Sequence, residues 1–148
     1  MLIELSKVGA AEFRRMREDG KAAFPKPAVL PEGQDISIPS RDSNRSIPCR
    51  LFHPVSSKPK GAFLHIHGGG WVLMSHRTSD PLLKFYADVS SCAVISAGYR
   101  LAPEHPFPAG PEDCFDVAEY LVKNAEKDYG GPVKFMGGEV CVYSSEPL

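Results

Sequence analysis

The 148-residue sequence has no long hydrophobic run, and its first twenty residues contain both acids and arginines. A membrane-spanning helix needs roughly 18 consecutive apolar residues, and a secretory signal needs an uninterrupted apolar segment. The sequence shows neither pattern, nor any repeat or low-complexity tract. We therefore expect no membrane span and a cytoplasmic protein.

The sequence also lacks a block of basic charge and a closely spaced cysteine pair. Its formal net charge is −1, so we expect no nucleic-acid partner. The four cysteines lie far apart and form no CxxC pair, which favours reduced thiols over disulfides or zinc. They are Cys49, Cys92, Cys114 and Cys141.

Hydrophobic residues make up 43% of the chain, a composition typical of one globular domain. Apolar spacing predicts helices over residues 10–23, 79–90 and 112–128, and strands over 35–40, 46–54, 62–67, 92–99 and 132–136. A proline-rich connector follows the first helix. The acids of PEDCFD, residues 111–116, are interpreted as charges that favour a helix N-terminus.

The alternation of strands and helices after residue 61 predicts an α/β fold with a mostly parallel sheet and flanking helices. The two early strands can add an antiparallel edge. Ligands bind such sheets beyond the carboxyl ends of the strands. Two glycine-rich segments, HGGG and MGGE, follow predicted strands and therefore lie at that edge.

The stretch HIHGGGWVLMSH, residues 65–76, contains three consecutive glycines directly after a buried strand. Bare backbone N–H groups at such a position can bind a developing negative oxygen. A phosphate-binding turn and a purely structural bend are the alternatives. A phosphate loop would show GxGxxG or GK[ST], and the sequence has neither here.

The segment HGGGW is followed about thirty residues later by YRLAPEHPFPA. Together these motifs resemble the hormone-sensitive-lipase branch of the α/β-hydrolases, also described as the α/β-hydrolase fold-3 group. The resemblance runs from about residue 61 to residue 139. It implies the N-terminal, incomplete part of an α/β-hydrolase domain and the hydrolysis of a small-molecule carboxylic ester through a serine acyl-enzyme, without cofactor or metal.

The resemblance also assigns roles to residues of the first motif. The backbone amides of Gly69 and Gly70 would form the oxyanion hole, supported by His67 and Gly68. His67 would brace the loop through hydrogen bonds and is not the catalytic base, and Trp71 would line the substrate pocket.

The resemblance assigns structural roles nearby as well. Arg100, Pro103 and Glu104 would hold the loop after the next strand. By its alternation with His67 on a buried strand, His65 is interpreted as a core histidine.

The sequence departs from the family after Glu139. The family continues as GxSxG, commonly GGESAGG, whereas this chain reads FMGGEVCVYSSEPL. Position 140, where the nucleophilic serine should stand, is Val140. Cys141, Ser144 and Ser145 have no recognisable base to activate them. A shifted frame, a retained intron or an alternative exon junction would explain this pattern.

We therefore divide the chain into a helix with a cap-like connector (1–33), the N-terminal half of a hydrolase domain (34–139) and a non-family tail (140–148). Three functions remain open. The chain is a hydrolase product without its nucleophile, a non-catalytic binding module as in the related plant gibberellin receptors, or an interaction fragment. We expect self-association through the exposed edge of the last strand.

Overall fold

Five strands form one mixed sheet in the computed structural model, which describes residues 7–22, 25–55 and 58–139. The strands are β1 (Gln34–Pro39), β2 (Ser46–Phe52), β3 (Ala62–Ile66), β4 (Ala93–Ala97) and β5 (Val133–Gly138). The helices are α1 (Ala10–Glu18), α2 (Asp80–Ser90) and α3 (Ala109–Tyr129). The spatial order of the strands is β1-β2-β4-β3-β5.

The sheet topology confirms the α/β fold. β3 pairs in parallel with both β4 and β5, and helices connect these strands. β1 and β2 form the antiparallel edge, with β2 antiparallel to β4. The carboxyl ends of β3 and β5 lie side by side, because Ile66 is in register with Gly138.

The helix ends follow from local sequence. α1 stops at Glu18, short of the predicted residue 23, and Gly20 lies just beyond it with a left-handed φ of 74°. α3 begins earlier than predicted, at Ala109, because Pro111 needs no hydrogen-bonded N–H in the first turn. The same helix ends at Tyr129 and is followed by Gly130, whose φ of 82° suits glycine.

The core forms on both faces of the sheet. The α3 side buries a cluster that includes Ile38, Ile47, Leu51, Leu64, Ile95, Val117 and Leu121. The α2 side buries a smaller cluster of Phe52, Leu83, Ala87 and Val94. β4 is buried along its whole length, whereas β5 is exposed at most positions. The sheet is therefore covered at its centre and open at β5.

Two acids of α3 are buried within ion pairs. Asp113 is fully buried and accepts hydrogen bonds from the Arg100 amide at 2.9 Å, from the Arg100 guanidinium and from Arg45. Asp116 accepts from the Arg41 amide at 2.8 Å and from Arg41 Nε at 2.7 Å. Burial opposes ionisation of Asp116, but the Arg41 contacts hold its pKa below the ordinary value. The interpretation of the acids in this segment as helix N-terminal charges is confirmed for Glu112, which lies in the first turn. Asp113 and Asp116 lie beyond that turn, and the β1–β2 turn brings an arginine onto each of them.

A second buried ion pair ties the proline-rich connector to the sheet. Asp80 is fully buried and accepts from Arg50 Nη2 at 2.7 Å and from the Leu30 amide at 2.9 Å. Arg50 Nη2 also donates to the Leu30 carbonyl at 2.7 Å. The connector is thus hydrogen-bonded to the sheet, while the domain boundary at residue 34 stays a prediction.

The described helices are all too short or too polar to cross a membrane. Within the described residues, Cys49, Cys92 and Cys114 are free and buried. Burial raises the pKa of Cys49 and of Cys114 to about 12, so both thiols stay protonated at neutral pH. Cys141 lies outside the described residues. The cytoplasmic location stays a prediction.

We predict that Asp113→Ala lowers the free energy of unfolding by about 3 to 5 kcal/mol, because it leaves two arginines without their buried partner. Glu119→Ala is the matched control on the same helix, since Glu119 forms an exposed pair with Lys123. Its loss should stay within about 1 kcal/mol. Urea unfolding followed by circular dichroism measures both, and equal losses would contradict the role given to Asp113.

Candidate active site

The glycine triplet lies at the carboxyl end of the central strand β3. Gly68 is buried, Gly69 is half-buried and Gly70 is exposed, so the chain rises from the core to the surface across three residues. Beside them the Glu139 amide donates to the Ile66 carbonyl at 3.0 Å. The segments HGGG and MGGE therefore meet at one edge, as the sequence predicted.

The backbone conformation requires glycine at Gly69. Its φ is 111°, and a Cβ there would collide with the carbonyl of Leu73. Gly70 also has a left-handed φ, 63°, but a Cβ there would meet open space. The first position is therefore closed to any side chain, and the second only disfavours one.

The amides of Gly69 and Gly70 are free donors within the described part of the chain, where neither N–H reaches an acceptor. By contrast, the Gly69 carbonyl accepts from the Leu73 amide at 2.9 Å and from the Val72 amide at 3.2 Å. Two neighbouring unpaired N–H groups at a strand end can stabilise an oxygen that becomes negative during a reaction. The assignment of Gly69 and Gly70 to an oxyanion hole stays a prediction.

His67 lies buried at the base of the triplet and stacks on Tyr99, with ring centroids 4.1 Å apart. Its Nδ1 lies 2.8 Å from the Gly68 carbonyl, which can only accept, so Nδ1 carries the proton. Burial lowers the pKa of His67 to about 4, and the ring is neutral at pH 7. The ring is therefore fixed against the loop, and its support of an oxyanion hole stays a prediction.

The indole of Trp71 is the exposed part of the loop. It is 44% exposed and lies 4.8 Å from the Tyr99 ring, measured between ring centroids. A Cβ on Gly110 would come within 2.9 Å of the indole, so the absence of a side chain there makes room for Trp71. The position suits contact with a substrate, and that role stays a prediction.

The loop after β4 is held by ion pairs. Arg100 binds the buried Asp113 through Nη2 at 2.9 Å. Glu104 accepts from Arg14 at 2.6 Å, and the same guanidinium donates to the carbonyl of Val72 at 2.6 Å and to that of Ala102 at 3.3 Å. Arg14 of α1 therefore joins this loop to the glycine loop, a contact that helical spacing alone did not reveal.

A hydrogen-bonded serine, histidine and acid lie next to the triplet without forming a catalytic site. His65 Nδ1 is 3.0 Å from Ser96 Oγ, and His65 Nε2 is 3.0 Å from Glu139 Oε1. Ser96 is fully buried, so no substrate can reach its hydroxyl. Burial lowers the pKa of His65, although Glu139 opposes the shift. The burial of His65 agrees with its interpretation as a core histidine. Its contact with Glu139 holds the residue that directly precedes position 140.

The predicted departure from the family falls on residues that the structure does not describe. Val140, Cys141, Ser144 and Ser145 all lie outside the described residues. Among the described residues, histidines, cysteines and acids form no group that could hold a metal ion.

Known proteins are similar to this chain in sequence and in fold. The family profile described as an alpha/beta hydrolase fold matches residues 63–139. An arylesterase of Saccharolobus solfataricus is 34% identical over 125 residues, which cover 84% of this chain and 40% of the relative. Hormone-sensitive lipase of Bos taurus is 35% identical over 99 residues, which cover 64% of this chain and 13% of the lipase.

Solved structures of esterases are similar to this chain as well. An esterase structure from Pyrobaculum calidifontis matches with a TM-score of 0.70 and 31% identity, covering 93% of this chain and 46% of that chain. The chain therefore spans less than half the length of each of these relatives.

We predict that acid weakens the fold partly through His67. Its pKa is about 4 in the folded chain against 6.5 for an unperturbed ring, so the unfolded chain binds the proton first as pH falls. Stability is therefore present above about pH 6.5 and falls as pH decreases towards 4. The contribution of His67 to this loss at pH 4.5 should be about 2 to 3 kcal/mol.

His67→Asn isolates that contribution, because the variant keeps an N–H donor and cannot titrate in this range. The difference in unfolding free energy between wild type and variant should be smaller at pH 4.5 than at pH 7.5, as urea unfolding would show. Parallel pH curves for the two chains would contradict the prediction.

Proposed function

Because the chain belongs to the α/β-hydrolase fold-3 family, we propose that residues 67–71 are the oxyanion-binding part of a carboxylic-ester hydrolase site. The family profile matches residues 63–139, a range that includes the HGGGW and YRLAPEHPFPA segments. The parent reaction is the hydrolysis of an ester through a serine acyl-enzyme, without cofactor or metal.

The pair of free amides on Gly69 and Gly70 carries this proposal. Attack on an ester turns its carbonyl oxygen into an oxyanion, and preorganised N–H donors stabilise that charge without having to reorient. The position of the two amides, at the strand end beside Glu139, supports a site where the oxygen binds next to the nucleophile position. The exposed Trp71 ring would contact the acyl or alcohol group of a small ester.

The chain as given would not complete this reaction. In the family motif the nucleophile stands directly after the position of Glu139. In this chain the nucleophile position is occupied by Val140, which has no nucleophilic atom. A nucleophile also needs a base within hydrogen-bonding distance. We propose that these 148 residues retain the oxyanion donors and form no acyl-enzyme.

We predict that the purified chain hydrolyses p-nitrophenyl acetate no faster than its Gly69→Ala variant. A fluorophosphonate probe should leave no adduct, as measured by intact-mass spectrometry. A stoichiometric adduct on Cys141, Ser144 or Ser145 would overturn the proposed inactivity. Saturable binding of a short-chain ester without turnover or adduct would instead favour a non-catalytic binding module.

The oxyanion role is tested where a nucleophile is present. Residues 1–139 can be fused to the part of the Saccharolobus solfataricus arylesterase that follows the position corresponding to Glu139. In this chimaera Gly69→Ala should lower kcat by about 10²-fold or more with little change in KM, because the loop that aims the amides must shift. Gly70→Ala is the matched control, since it keeps its amide and meets open space, and it should cost much less. Equal kcat values for all three chimaeras would contradict the assigned amides.

We further propose that the chain self-associates through β5. On this strand Phe135 is 53% exposed and Met136 is 52% exposed, although its neighbour β3 is mostly buried. The outer edge of β5 pairs with no other described strand. An apolar edge strand with unpaired backbone groups is a template for pairing with another chain.

Phe135→Lys should shift the chain towards monomer, because a charged side chain on an edge strand disfavours edge-to-edge pairing. Phe115→Lys is the matched control, as Phe115 is an exposed aromatic residue on α3. Size-exclusion chromatography with light scattering measures the mass of each. A wild-type chain that is monomeric at all concentrations, or an equal effect of both variants, would overturn the proposal.

A further inference from the structure

Three consecutive peptide planes lead from β3 into the glycine triplet. Each plane is held by a hydrogen bond to its own carbonyl oxygen. Tyr99 Oη donates to the His67 carbonyl at 2.7 Å. His67 Nδ1 donates to the Gly68 carbonyl at 2.8 Å. The Leu73 amide donates to the Gly69 carbonyl at 2.9 Å.

These carbonyl contacts determine where the amides point. The peptide unit is planar and trans, so its N–H is directed opposite to its C=O. Fixing the Gly68 carbonyl therefore aims the Gly69 N–H, and fixing the Gly69 carbonyl aims the Gly70 N–H. Glycine has the greatest backbone freedom of any residue, so the triplet depends on such contacts for its orientation.

Tyr99 acts on this system twice. Its hydroxyl holds the first plane and lies 3.4 Å from the carbonyl of the second, at Gly68. Its ring stacks on the His67 imidazole at 4.1 Å with only 12° between the planes, which keeps Nδ1 facing that carbonyl. Tyr99 is itself 5% exposed and is the second residue after β4, so the core holds it in place.

We infer that Tyr99 is a positioning residue for the oxyanion donors and that it acts through His67 and the Gly68 carbonyl. The inference rests on the proposed function of the Gly69 and Gly70 amides. Tyr99 has no contact with the reacting atoms in this role, because its hydroxyl binds carbonyl oxygens behind the loop. A loop without this anchor would keep the glycines but lose the fixed direction of their N–H groups.

The test is the order of the glycine amides in the intact 148-residue chain, measured by ¹⁵N relaxation and N–H residual dipolar couplings. In the wild-type chain we expect order parameters near 0.85 for Gly69 and Gly70, as in rigid backbone. In Tyr99→Phe, which keeps the ring and loses the hydroxyl, the Gly69 value should fall below about 0.6, with a coupling that no longer fits the structure. Gly70 should change less, because the Leu73 amide still holds the Gly69 carbonyl. Amides of β3 and β4 should keep their wild-type values.

Tyr86→Phe is the matched control. Tyr86 packs against Phe63 on the α2 side of the sheet, so loss of its hydroxyl should leave the triplet unchanged. Unchanged triplet order in Tyr99→Phe would overturn the inference, and so would an equal loss in both variants. A merely structural role of Tyr99 would lower the unfolding temperature without a selective change at Gly69.

The His67 ring provides a second measurement that does not require any variant to fold. Ring ¹⁵N shifts of the wild-type chain should show the Nδ1–H tautomer at pH 7, and the Nε2–H tautomer would overturn the proposed chain of contacts. Neither result depends on ester hydrolysis. An inert chimaera would therefore contradict the proposed function without contradicting the role of Tyr99. Disordered Gly69 and Gly70 amides in the wild-type chain would contradict the role of Tyr99 without contradicting the proposed function.

Discussion

The pairing of β3 on both of its sides is the constraint on which the rest of the structure depends. Hydrogen bonds to β4 and β5 fix the strand in two directions, and side chains of both helical layers cover its faces. Its carboxyl end is consequently a rigid platform. The glycines extend from that platform, so flexible residues start from a fixed point and need only a few further contacts to hold their shape.

The sequence predicted the elements that have a local cause. Continuous apolar runs marked β3 and β4, and alternating helical spacing marked α3, because burial on two faces or on one face leaves those patterns. Contacts between distant segments left no such pattern. Asp113 looked like an ordinary helix N-terminal acid, and only the folded β1–β2 turn places Arg45 beside it.

The candidate site shows the same division. HGGGW was recognisable because a glycine triplet directly after a buried strand is typical of only a few structures. The second motif, YRLAPEHPFPA, favoured the oxyanion hole among them. Tyr99 gave no comparable signal, since a tyrosine after an apolar strand is common in cores. Its partners lie about thirty residues earlier in the chain. They are backbone carbonyl oxygens, which every residue has, so the residue types in the sequence do not indicate them. Backbone acceptors are therefore invisible to sequence patterns even where they determine a site's geometry.

The contacts of Arg14 also have a consequence for the time course of folding on the ribosome. Arg14 binds Glu104, which follows it by 90 residues. Translation adds roughly 5 to 20 residues per second, so helix α1 leaves the ribosome roughly 5 to 18 seconds before its partner loop does. During that interval its apolar side chain Phe13, fully buried in the finished fold, has no native site. Helix α1 can therefore dock in its native place only after residue 104 has left the ribosome, and its buried face stays uncovered until then.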